Sequence, residues 1–139
     1  MLYKKTNQKY IIKLTRGEKV LEELTKFCEI EGIKFGVLRA IGAVRGAELG
    51  YYDLDNKKYS YKKMDGDYEI ASLTGNVAYL DNKPFIHAHV VLSDANFQCF
   101  GGHLKEAAVG AVCEVFLEPL EGKVTRKMDE EIGLNLMDL

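Results

Sequence analysis

All three histidines of the chain fall within seventeen residues, as His87-x-His89 and Gly101-Gly102-His103. Two imidazoles at positions i and i+2 of a strand share one face, with Cα atoms roughly 6–7 Å apart. Their ring nitrogens can then converge on one ion about 2.0–2.1 Å from each. His103 follows two glycines, which permit tight turns and the close approach of other groups. Three histidines with an open fourth position make the pattern of a catalytic-type site for zinc or a related divalent metal. The same cluster would also serve as a hydrogen-bonded, pH-sensitive contact at a subunit interface. Glu114, flanked by Val112 and Phe116, is the candidate catalytic residue, as a general base, a fourth ligand or a partner that fixes an imidazole tautomer. Its alternative is a solvent-facing carboxylate. Cys99 and Asn76 are further candidates for the same cleft, and a lone cysteine is more often a buried small hydrophobe.

These residues have to be held by strands. In Phe85–Ser93 the alternation puts Ile86, Ala88, Val90 and Leu92 on an apolar core face. His87 and His89 lie on the other face, between Phe85 and Val91. In Val109–Glu118 the odd positions are all small or apolar, and Glu114 faces away from them. Further strands are expected over Tyr10–Leu14, Ile33–Ile41, Val44–Tyr52, Lys57–Met64, Tyr68–Tyr79, Phe97–Phe100 and Val124–Met128, with turn residues between several of them. One helix is well signalled. Thr15-Arg16-Gly17-Glu18 fits a capping box, Val20, Leu21, Leu24, Phe27 and Cys28 form a helical stripe, and Gly32 supplies the stop. A second short helix is expected near Leu104–Ala108, and residues 1–9 read as loose. Gly42, Gly46 and Gly50 mark bulges or close backbone approaches in a bent strand. The fold class is α+β, a largely antiparallel sheet with one main helix packed on it, in one compact domain over residues 1–139.

Composition narrows the function classes. Hydrophobic residues make up 47% and charged residues 29% of the chain, a balance that folds without a metal or disulfide staple. A metal here is therefore functional. The net charge of −2 argues against dominant nucleic-acid binding, which rests on clustered positive charge. Lys57, Lys58, Lys62 and Lys63, interleaved with tyrosines, form one local basic patch that reads first as a solvated hairpin. Three cysteines without a C-x-x-C pair, and no signal peptide, suggest a reducing, cytoplasmic setting. No apolar run reaches the roughly 18 residues needed to span a bilayer. Neither a Gly-x-Ser-x-Gly elbow nor a dinucleotide-binding glycine fingerprint occurs.

Several segments taken in order resemble the plants-and-prokaryotes-conserved (PPC) domain. They are Ile41-Gly42-Ala43-Val44, Leu49-Gly50-Tyr51-Tyr52-Asp53, Ser72-Leu73-Thr74-Gly75-Asn76, His87-Ala88-His89-Val90, Gly101-Gly102-His103-Leu104 and Cys113-Glu114-Val115. The resemblance runs from the first strand to Arg126–Asp129. It implies a compact domain that assembles as a homotrimer, a predicted DNA-binding role, and any shared site at His87, His89 and His103. The DNA role belongs chiefly to plant relatives that carry an Arg-Gly-Arg-Pro hook, a segment this sequence lacks. Two readings therefore stand. One is a trimeric binding or regulatory module with DNA as partner. The other is a metal-dependent enzyme or small-molecule binder centred on the histidines.

Overall fold

Alternating burial draws most of the chain into one sheet. The computed structural model describes residues 1–139. Its elements in order are β1 (Leu2–Thr6), β2 (Lys9–Thr15), α1 (Val20–Ile30), β3 (Gly36–Asp53), β4 (Lys58–Leu80), β5 (Lys83–Ser93), β6 (Cys99–Pro119), β7 (Thr125–Asp129) and β8 (Leu134–Asp138). β2 shows the rule most simply: Tyr10, Ile12 and Leu14 point inward while Lys9, Ile11 and Lys13 face out. β3 pairs with β4 and β6, and β5 pairs with the same two strands, all antiparallel. The ring β3–β4–β5–β6 therefore closes on itself, with β5 bridging β4 and β6 where His89–Ser93 pair with both. β2 and β1 extend the sheet beyond β6, and β7 joins β4 through one parallel pairing, Tyr79 with Thr125. Inside lies a core of 27 buried side chains, to which α1 contributes Val20, Leu24, Phe27 and Cys28. No helix is long and apolar enough to cross a membrane.

The expected class holds in its coarse form, a mostly antiparallel sheet with a single helix. The helix spans only 11 residues, so the sheet dominates. Several expected pairs of strands are single long ones. The expected strands Ile33–Ile41, from Gly36 onward, and Val44–Tyr52 are the two halves of β3, bent at register shifts between Ala40 and Gly42 and between Arg45 and Ala47. These shifts fall at the expected glycines, and Gly42 and Gly46 have φ of +138° and +75°. The expected helix at Leu104–Ala108 is instead part of β6, where Leu104 and Ala107 enter the core and pair with β3. Tertiary pairing there overrides the helical preference of two alanines. Residues 2–6 are a strand, since Tyr3 sets its ring edge-on to Phe27 at 4.9 Å and β1 zips onto β2.

The helix begins later than the capping box suggested. Thr15 ends β2, and the Glu18 carboxylate accepts its backbone N–H at 2.7 Å, which is half of the expected box. The open N–H groups of Leu21 and Glu22 instead donate to the two carboxylate oxygens of Glu106, at 2.9 and 3.1 Å. A carboxylate from β6 thus caps α1 and complements its positive end. At the other end Gly32 (φ +65°) turns the chain, and the Ile33 N–H donates to the Cys28 carbonyl at 2.9 Å, as the sequence predicts.

Candidate metal centre

The β5–β6 pairing assembles the three histidines. His89 lies directly opposite His103 in the register, and His87 is two residues back on the same face. Ile86, Ala88, Val90 and Leu92 are buried on the core side, as their alternation requires. The imidazoles therefore project outward, His89 exposed, His87 and His103 half-buried. Ring centroids are 5.1 Å apart for His87–His89 and His87–His103, and 5.7 Å for His89–His103. One nitrogen from each ring lies within 4.8 Å of the others.

A tetrahedral ion 2.0–2.1 Å from each nitrogen needs them about 3.3 Å apart. The nitrogens, within 4.8 Å of one another, are at most about 1.5 Å wider than that, and imidazole rotation about the side-chain torsions is the movement that would bring them together. The donor set suits the ion in two further ways. Burial, then the positive charges of His103, Arg126 and His89, pushes His87 down to about 4, and burial with His89 lowers His103. Neutral imidazole is the form that coordinates. The His103 Nδ1 is buried without a hydrogen-bond partner, a state that costs about 1–3 kcal/mol and that coordination through this nitrogen would relieve.

Neighbouring elements complete the setting. Gly50 of β3 pairs with His103. A Cβ there would stand 2.9 Å from the Tyr61 ring and 3.1 Å from the Tyr59 ring, so the bare glycine lets both tyrosines lie against the strand. Tyr59 reaches a centroid distance of 5.1 Å from His103. Asn76 sits opposite His87 in the β4–β5 register, and its Oδ1 accepts a hydrogen bond from the Arg126 Nη2 at 2.8 Å. Arg126 also donates to the Asn135 carbonyl at 3.0 Å and stands 5.3 Å above the Phe85 ring. Burial works against its charge.

Asn76, a candidate for the same cleft, thus lies beside His87 and reaches the site through Arg126, whereas Glu114 is not among the converging groups. It lies eleven residues further along β6, exposed, opposite Lys13 and Ile41. Cys99 is exposed and pairs with Ser93. Cys28 and Cys113 are buried, and burial holds both thiols up near 12, so neither is a nucleophile. Arg126 and Tyr59 are the neighbours that sequence reasoning did not attach to the histidines. Tyr59 had a signal in the tyrosine-rich hairpin, but Arg126 comes from a short strand whose pairing is long-range.

The family description of the Plants and Prokaryotes Conserved (PCC) domain matches residues 1–121. No curated protein matches the chain. Among solved structures, a metal-containing protein of Archaeoglobus fulgidus is 39% identical with a TM-score of 0.90, over 100% of this chain and 99% of the other. A plant- and prokaryote-conserved (PPC) protein of Pyrococcus horikoshii is 35% identical with a TM-score of 0.89, over 99% and 95%. A proposed DNA-binding protein of Ralstonia eutropha is 34% identical with a TM-score of 0.92, also over 99% and 95%.

Proposed function

This chain belongs to the Plants and Prokaryotes Conserved domain family, and from that premise we propose that it is a homotrimeric binding domain centred on one divalent metal, zinc, held by His87, His89 and His103. The observation that carries the reading is the convergence of three ligand nitrogens within 4.8 Å on one outer face. The description of the Archaeoglobus relative as metal-containing supports it. Once bound, a metal with three protein ligands supplies Lewis acidity at an open coordination position. The chain's own residues do the positioning. β5 and β6 fix the imidazoles, Tyr59 covers His103, and Arg126, anchored by Asn76, brings a positive charge to the same cleft.

The homotrimer rests on the family and on an apolar outer face. Ile11 and Phe116 stand opposite each other in the register, with Val37 and Ile41 nearby on β3, and all four are 40–55% exposed. Phe116, Arg39, Thr74 and His89 follow one another across the strands, so this face runs directly into the histidine site. A patch of this kind on a surface marks an association site.

Elemental analysis of untagged protein, purified without chelators, tests the metal. About one zinc or similar ion per chain is expected, lost on dialysis against chelator and regained from zinc salt. Protein that stays metal-free after zinc is offered would overturn the reading.

DNA is the second reading, favoured by the description of the Ralstonia relative and by the hairpin lysines. Two of those lysines lie opposite acids, Lys58 by Asp53 and Lys63 by Glu48, which blunts the patch. If DNA is a partner, affinity falls steeply with salt, and replacing Lys57, Lys58, Lys62 and Lys63 weakens binding alike for all sequences. No shift in a gel assay at low salt removes DNA from consideration.

A further inference from the structure

The cavity beside the histidines holds a cation that nothing in the chain neutralises. It encloses about 380 Å³, and its walls include His87, His103 and Arg126 with the apolar side chains of Phe85, Leu134 and Leu136. No Asp or Glu lines it. Lys105, the other basic wall residue, is compensated by Glu48 at 3.1 Å. Arg126 makes no ion pair. Its two hydrogen bonds go to uncharged oxygens, those of Asn76 and Asn135. Of the five N–H donors of a guanidinium, three remain, and Nε is buried with no partner.

Resting on the reading of the histidines as metal ligands, we propose that this cavity receives a small organic carboxylate, held by Arg126 and directed toward the histidine centre. Charge demands an anion there. Neutral imidazoles do not offset a divalent ion, and the guanidinium adds to it, so the cleft collects positive charge with no acid facing it. A planar guanidinium matches a carboxylate in geometry. The phenyl and leucine walls suit a carbon body over a strongly hydrated inorganic ion, and the volume lies in the range of small-molecule sites, about 300–1,000 Å³. Arg126 lies on β7, beyond the matched residues 1–121, so the strand pair β7–β8 contributes the binding element to a metal site built on β5 and β6. In this role Arg126 is a binding residue.

Calorimetric titration of the full-length, zinc-loaded protein tests this with L-lactate and n-butyrate as probes, lactamide as the uncharged counterpart, and inorganic phosphate for contrast. Wild type binds the carboxylates at least tenfold more tightly than lactamide or phosphate. Arg126→Gln weakens lactate by about ten- to a hundredfold, while zinc content and lactamide affinity stay at wild-type values. Asn76→Asp, which sets an acid against the guanidinium, weakens lactate in the same direction and decides the matter if Arg126→Gln does not fold. Lactate affinity unchanged in a folded Arg126→Gln overturns the proposal, as does phosphate binding more tightly than lactate. Zinc at one per chain with no lactate binding overturns the carboxylate site and leaves the metal centre standing. Arg126-dependent lactate binding by protein that takes up no zinc does the reverse.

Discussion

If the histidines hold zinc as proposed, replacing His87 and His89 together by alanine is expected to abolish the stabilisation that added zinc gives the wild-type protein. A ligand present at about a hundred times its Kd stabilises the folded state by about 2.7 kcal/mol, on the order of 10 °C in Tm for a domain of this size. The double variant gains nothing under the same conditions, because one histidine cannot replace three. What makes the experiment readable is that the substitutions are mild without metal. Both side chains are on the outer face, neither makes a side-chain hydrogen bond to the protein, and neither belongs to the buried core, His89 being exposed and His87 half-buried. The metal-free double variant should therefore unfold within about 1 kcal/mol of metal-free wild type. Urea denaturation with and without zinc gives all four values. Equal zinc stabilisation of both proteins places the ion elsewhere. A large loss in the metal-free variant instead makes the cluster structural.

How far the sequence reached follows from the range of the interactions involved. His87 and His89 could be placed on one face because strand alternation is local, and the four apolar partners Ile86, Ala88, Val90 and Leu92 fix which face is inside. The bends at Gly42 and Gly46 were legible because only glycine tolerates their φ. Pairing was not legible. Nothing local says that His103 lies opposite His89, or that β6 turns from β3 toward β5 and continues through Leu104–Ala108 as a strand. The same limit hid Arg126, whose contact with Asn76 spans 50 residues. It also hid Glu106, which caps a helix 84 and 85 residues away. Glu114 was attached to the cluster by residue type alone. The long course of β6 separates the two, and the exposed-carboxylate alternative describes where it sits.

Gly42→Val should destabilise the protein by about 3 kcal/mol or more and weaken zinc binding without altering a ligand. Two penalties combine. A φ of +138° is a glycine conformation, and forcing another residue into it costs on the order of 1–3 kcal/mol. A Cβ would also stand 2.8 Å from the Cα of Cys113, backbone that cannot swing away, and overpacking adds roughly 1–3 kcal/mol. For a domain whose total stability is on the order of 5–15 kcal/mol this is a large fraction. The coupling to the metal comes from topology. The bulge at Gly42 is where β3 changes register against both β4 and β6, and the half of β3 beyond it carries Gly50 against His103. If the bulge cannot form, the ring of strands loses the alignment that keeps His103 facing His89. Gly122→Ala is the control, since Gly122 also has a positive φ but open space around the added carbon, and it should cost about 1 kcal/mol. Urea midpoints and zinc titrations of the two variants separate the causes. A Gly42→Val protein that melts early but binds zinc normally would mean that the histidine cluster is organised by the β5–β6 pair alone, independent of how β3 closes the ring.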